Sequence, residues 1–106
     1  MKYPDFYQTV PIDEIGVKER VGRLNSRSIK KDSKVHALKL ALSMIDHTTL
    51  EGKDSPGKVI QLCKKAKQPY PAMPELPTVA AVCVYPRMVS VAKKEVKGSG
   101  VNVASV

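Results

Sequence analysis

Apolar residues recur along this chain with two different periods, and the changes of period mark out its elements. Residues 1–33 are polar and mixed, and Val17, Val21 and Leu24 fall at helical spacing that Gly16 and Gly22 weaken. This stretch reads as an amino-terminal helical extension that packs on something else. From Lys34 the pattern tightens, with Val35, Leu38, Leu42 and Ile45 at helical spacing. A helix to about Ala41 is predicted, then a short buried strand through Met44-Ile45 that runs into Asp46-His47-Thr48-Thr49.

Ser55 followed by Pro56 is a helix start, a capping hydroxyl and a proline at the first position. Val59, Leu62, Cys63 and Ala66 continue it as one apolar stripe, so residues 56–67 are predicted helical. Pro69, Pro71, Pro74 and Pro77 then impose a stiff, extended connection. Thr78 to Val84 is apolar without alternation and rich in β-branched residues, as in a strand covered on both faces of a parallel sheet. Pro86 opens another helix, with Met88 or Val89, Ala92 and Val96 inside, Lys93, Lys94 and Lys97 in solvent, and Gly98 or Gly100 at its end. Val101 to Val106 is the third strand.

Helices and strands alternate, which with right-handed crossovers means an α/β fold with a parallel sheet. The last apolar strand has no following helix to cover it, so the sheet reads as unfinished. A doubly wound sheet or an eight-stranded barrel would complete it, and periodicity does not choose between them.

Composition adds bounds. The 106 residues are 42% apolar and 26% charged, ordinary for one globular domain. No stretch is long and apolar enough for a membrane span, and Met1-Lys2-Tyr3-Pro4-Asp5 leads into no signal-peptide core. A cytoplasmic protein is expected, with no membrane partner. Cys63 and Cys83 fit neither a zinc site nor a redox pair and are expected as reduced thiols. The net charge of +8 divides evenly, nine Lys/Arg against five acids in residues 1–40 and the same in residues 41–106. Such diffuse charge suits a solvated surface or the steering of a phosphorylated substrate. Nucleic-acid binding ranks last, because the 5% aromatic residues do not interleave with the basic ones.

In either completion, ligands sit at the carboxyl ends of the strands, which here are Asp46 to Thr49 and Cys83 to Tyr85. A carboxylate after Met44-Ile45 is costly to bury unpaired, so Asp46 suits proton handling or holding a lysine. Thr48, two residues on, shares its face. Capping of the loop or of the next helix would equally account for both residues.

Ile45-Asp46-His47-Thr48-Thr49-Leu50, the helix around Val59 to Lys67, and Ala80-Ala81-Val82-Cys83-Val84-Tyr85-Pro86 resemble the deoxyribose-phosphate aldolases in order and spacing. The resemblance covers about residues 34–106, with Arg27-Ser28-Ile29-Lys30-Lys31 similar to the extension of the family's longer members. It implies the first three strands of a partial TIM (β/α)8 barrel behind the helical extension. It also implies a class I aldolase, without metal or other cofactor, that reversibly joins acetaldehyde to glyceraldehyde 3-phosphate through a lysine Schiff base.

By the same resemblance, Asp46 belongs to the hydrogen-bonded network around the lysines and Thr48 contacts the sugar hydroxyls. Cys83 lines the pocket, a place that a small apolar filler would also take. Tyr85 either staples strand to helix or reaches a ligand. His47 is read as packing, His36 as structural and Cys63 as core. The Schiff-base lysine and the phosphate loops are expected beyond Val106. Lys58, Lys64, Lys65, Lys67, Lys93, Lys94 and Lys97 fall on solvated helix faces, and Lys53, in the loop after the first strand, at most attracts phosphate. The expected partners are a phosphorylated sugar, the carboxyl-terminal part of the barrel and further copies in a homo-oligomer.

Two other uses of these residues are open. A non-enzymatic interaction or oligomerisation module would exploit the uncovered third strand. The prolines at 71, 74 and 77 also fit a PxxP ligand, although a stiff loop explains them.

Overall fold

The computed structural model describes residues 10–106. Residues 1–9, which open the expected extension and were read as lacking a signal-peptide core, lie outside the described residues. The chain divides into two units, the first ending at Lys30 and the second Lys31–Val106.

The first unit contains α1, Glu14–Asn25. Its two glycines do not prevent the helix because both ends are closed. The Asp13 carboxylate accepts from the Gly16 N–H at 3.1 Å, and the Ser26 N–H donates to the Gly22 carbonyl at 3.0 Å.

The second unit runs α2 (Lys31–Ser43), β1 (Asp46–Thr48), α3 (Pro56–Lys67), β2 (Ala81–Val84), a 3-10 turn (Pro86–Met88), α4 (Val89–Glu95) and β3 (Asn102–Ser105). The three strands are parallel, in the order β1-β2-β3. The protein is therefore a mixed helix-and-strand fold around a small parallel sheet. Among the described residues no helix is long and apolar enough to cross a membrane.

The bounds of α2, β1 and β2 differ from the expectation, the helix expected from Pro86 opens as a 3-10 turn before α4, and the third strand is Asn102–Ser105 within the expected Val101–Val106. α2 begins at Lys31 and extends to Ser43, past Ala41. The Met44 and Ile45 N–H groups then close its last turn on the Ala41 and Leu42 carbonyls, at 3.1 and 3.3 Å. The N–H groups of Met44 and Ile45 are thereby spent on the helix end, while the Ile45 carbonyl already accepts from the Ala80 and Ala81 N–H groups at 3.0 and 3.3 Å, and β1 proper starts at Asp46. β2 is shorter than Thr78–Val84: it starts at Ala81, and before it the Val79 N–H donates to the Ala66 carbonyl of α3 at 3.1 Å rather than to a neighbouring strand.

α3 forms as its start signals dictate, with the Ser55 hydroxyl accepting from the Lys58 N–H at 3.2 Å and Pro56 in the first turn. Its Val59, Cys63 and Ala66 meet Val82 and Val84 of β2, Ala92 of α4 and Val96 just after it in one core. Full burial of each such valine contributes about 1.5–3 kcal/mol. Lys67 joins the ends of α3 and α4, donating to the Glu95 carbonyl at 2.8 Å and to its carboxylate at 3.1 Å. Lys67 is thus not the solvated amine expected of that helix face. Between α4 and β3, Gly98 and Gly100 have φ of 76° and 83°, a turn that a Cβ would strain.

Both connecting helices, α3 and α4, belong to the same core as Val82 and Val84 and so cover one face of the sheet. The other face carries neither.

Candidate functional site

Strand alternation and register decide what the free face presents. Val82 and Val84 point into the helix-covered core, so Ala81 and Cys83 point the other way. Residues paired across a parallel ladder share a face. Asp46 pairs with Ala81 and Ala81 with Asn102, which makes one row across the sheet. Thr48 pairs with Cys83 and Cys83 with Ala104, which makes a second row nearer the carboxyl ends.

All three candidate residues, Asp46, Thr48 and Cys83, therefore lie on one face. Their depths differ. Asp46 is the first residue of β1 rather than its carboxyl end, about 6.6 Å below Thr48 at the usual rise. Asp46 and Thr48 are exposed, while Cys83 is 5% exposed. The Thr48 hydroxyl donates a long 3.3 Å bond to the Asp46 carbonyl, which leaves its lone pairs for other donors. His47 is half-buried on the helix-covered face, opposite Val82. Cys63 is fully enclosed in the core, where burial pushes its thiol pKa up.

Asn102 was not among the sequence candidates. It lies in the same row as Asp46, two strand spacings or about 10 Å away, with its amide donating to the Ala80 carbonyl at 3.3 Å. Its side-chain oxygen accepts no hydrogen bond among the described residues.

A second group missed in the sequence closes the loop between β1 and α3. The Asp54 side chain is 4% exposed. It accepts from the Thr49 hydroxyl at 2.9 and 3.1 Å and from the Glu51 N–H at 3.0 Å. Lys58, one helical turn on, pairs with it at 2.9 Å and also with Glu51. The Lys58 ammonium, with the Glu51 N–H and Thr49 hydroxyl, holds the Asp54 carboxyl below its ordinary range against the opposing effect of burial. Glu51 and Asp54 in turn raise the pKa of Lys58. Lys58 lies on an exposed helix face, as expected, but is paired there with Glu51 and Asp54. The available signal was Asp54 four residues before Lys58, just ahead of the Ser55-Pro56 helix start.

At the carboxyl ends of β1 and β2, this loop and the turn after β2 border a cleft of about 350 Å³, lined by Glu51, Gly52, Asp54, Tyr85, Arg87 and Met88. Tyr85 is 41% exposed, and Arg87 has no salt bridge among the described residues. The β1-α3 loop also carries Lys53, which is exposed. Among the described residues no three His, Cys, Asp or Glu side chains converge as metal ligands. The chain matches no protein-family model.

Proposed function

We propose that this chain forms the first strands of a (β/α)8 barrel aldolase, one that cleaves 2-deoxyribose 5-phosphate to glyceraldehyde 3-phosphate and acetaldehyde through a lysine Schiff base. The observation that carries the reading is the free sheet face. Asp46, Thr48 and Cys83 share it, while both connecting helices lie on the opposite face. Sequential parallel strands with their helices on one side are the winding of a barrel, whose inner face holds the chemistry near the carboxyl ends. A doubly wound sheet changes face only at its switch point, and each of its βαβαβ halves also keeps both helices on one side, so the barrel is chosen over it on the aldolase-like residues Asp46, Thr48 and Cys83 that share the free face.

In this reading the Asp46 carboxylate takes and returns protons around the amine, and the Thr48 hydroxyl bonds a sugar hydroxyl. Cys83 supplies a small wall beside them. None of β1, β2 or β3 contains a lysine, so the nucleophile is assigned to further strands of the barrel, and the 106-residue chain alone is inactive.

A second reading, a non-enzymatic interaction module, draws on the outer edge of β3, which has no partner strand among the described residues, and on exposed Val35 and Leu38 of α2.

Borohydride trapping separates the two. The chain is mixed with a polypeptide carrying the remaining strand-helix units of a deoxyribose-phosphate aldolase, then given 2-deoxyribose 5-phosphate and reduced. Intact mass is expected to show the adduct on the added polypeptide and not on this chain, with a lower yield for D46N. An adduct on this chain overturns the assignment of the nucleophile. No adduct on either polypeptide, in a mixture that sedimentation shows to be assembled, overturns the aldolase reading.

A further inference from the structure

We infer that Asp54 is a positioning residue that holds Thr48 and Cys83 in register at the rim of the site, acting through Thr49. The inference rests on the aldolase reading for its catalytic consequence, and on geometry alone for its structural one.

The chain of contacts is short. The Asp54 carboxylate accepts from the Thr49 hydroxyl at 2.9 Å, and the Thr49 N–H donates to the Cys83 carbonyl at 3.0 Å. Thr49 follows Thr48 directly, and Thr48 pairs with Cys83. β1 is only three residues long, so its carboxyl end has little ladder of its own. That end is fixed by what holds Thr49, which is 8% exposed and the one buried polar residue of the described chain.

Asp54 is built for that task. Its carboxylate is nearly enclosed and accepts from a hydroxyl and a main-chain N–H, and both donors lie in the segment it must hold. Lys58 balances the charge from the rigid first turns of α3, so the loop is referenced to a helix rather than to solvent. Asp54 borders the cleft at these strand ends, but its carboxylate oxygens are engaged by Thr49, Glu51 and Lys58. Its effect on chemistry passes through Thr48 and Cys83.

The test compares the intact chain with D54N and T49V. D54N removes the charge and one of the two acceptor oxygens and so weakens the hold on Thr49, which is expected to raise amide exchange at Thr49 and alkylation of Cys83 by about tenfold, the effect of one local hydrogen bond. The Val82 and Val84 amides and the Cys63 thiol are expected to stay protected. T49V, which removes the hydroxyl and leaves the carboxylate paired with Lys58, is expected to show the same local signature if D54N unfolds. Thr49 exchange and Cys83 alkylation within twofold of the parent in both variants overturn the inference. So does a uniform loss of protection across β2 in both.

In the reconstituted barrel, D54N is expected to raise KM for 2-deoxyribose 5-phosphate about tenfold with a smaller fall in kcat, and D54N/T49V to be no worse than D54N. Additive losses overturn it. An inactive parent mixture instead sinks the aldolase reading, and the exchange and alkylation results still decide the positioning role.

Discussion

Thr48 and Cys83 stand directly opposite each other across the β1-β2 ladder, on the sheet face that neither α3 nor α4 covers. One is exposed and the other nearly buried, so the pair forms a step with a hydroxyl at its open side. Thr48→Val keeps the shape and removes the donor. The unfolding midpoint is expected to stay within about 0.5 kcal/mol of the parent, as for an exposed position. In the reconstituted barrel, kcat/KM for 2-deoxyribose 5-phosphate is expected to fall about 10- to 100-fold, the loss of one hydrogen bond to substrate. Unchanged kinetics would remove Thr48 from the site.

The assignment of faces is itself testable by neighbouring substitutions. Val82 is fully buried against α3 and α4, whereas Ala81 is half-buried on the free face. Val82→Ala removes two methyl groups from a closed core and is expected to cost about 2 kcal/mol in a denaturant titration. Ala81→Ser places a hydroxyl beside Asp46 and Asn102 and is expected to cost less than about 0.5 kcal/mol. The reverse ranking would mean that the sheet faces have been exchanged.

Much of this was legible in the sequence, for local reasons. Ser55-Pro56 and the stripe from Val59 to Ala66 determine α3 through bonds made within one turn. The unbroken apolar run from Thr78 to Val84 announces a strand covered on both faces, of which α3 and α4 cover the side of Val82 and Val84 and leave that of Ala81 and Cys83 without a helix of theirs. Asp46 was misplaced because the fate of Met44-Ile45 depends on a competition that periodicity does not describe. Their N–H groups can complete a helix end or join a ladder, and the α2 carbonyls take them. Sheet order was likewise open, since it depends on which strands meet rather than on any one segment. The Asp54 network went unread because Thr49, Glu51 and Lys58 are unremarkable singly and gain meaning only when the loop folds back on itself.

The two thiols should differ in reactivity because they lie on opposite sides of the sheet. Cys63 is fully enclosed between α3, α4 and β2, and burial, aided by the Glu95 carboxylate, raises its thiol pKa. The thiolate is the reacting form, so Cys63 is doubly protected. Peptide mapping after alkylation of the native chain at neutral pH is expected to find label on Cys83 first, and on Cys63 only at the rate of global unfolding. Equal labelling of the two would contradict the burial of Cys63.

The loop that holds Thr49 should weaken at both extremes of pH. The Lys58 ammonium first, then the Glu51 N–H and Thr49 hydroxyl, lower the Asp54 pKa from its ordinary 3.8 while burial opposes them. A depressed carboxyl pKa stabilises the fold fully above its unfolded value, and that contribution disappears as pH falls through the folded value. Lys58 shifts the other way, raised from 10.5 first by Glu51 and then by Asp54. Its contribution is complete below 10.5 and disappears as pH rises through the folded value. The other charged or polar side chains around the loop are Lys53 within it and Tyr85 and Arg87 across the cleft. The stability difference between the parent and D54N isolates Asp54. That difference is expected to be flat from about pH 5 to pH 9 and to shrink below about pH 4, where the unfolded state takes up the proton before the folded one, until both bind it. A difference that instead grows as the pH falls would mean that Asp54 is held as the neutral acid, and that Lys58 does not pair with it.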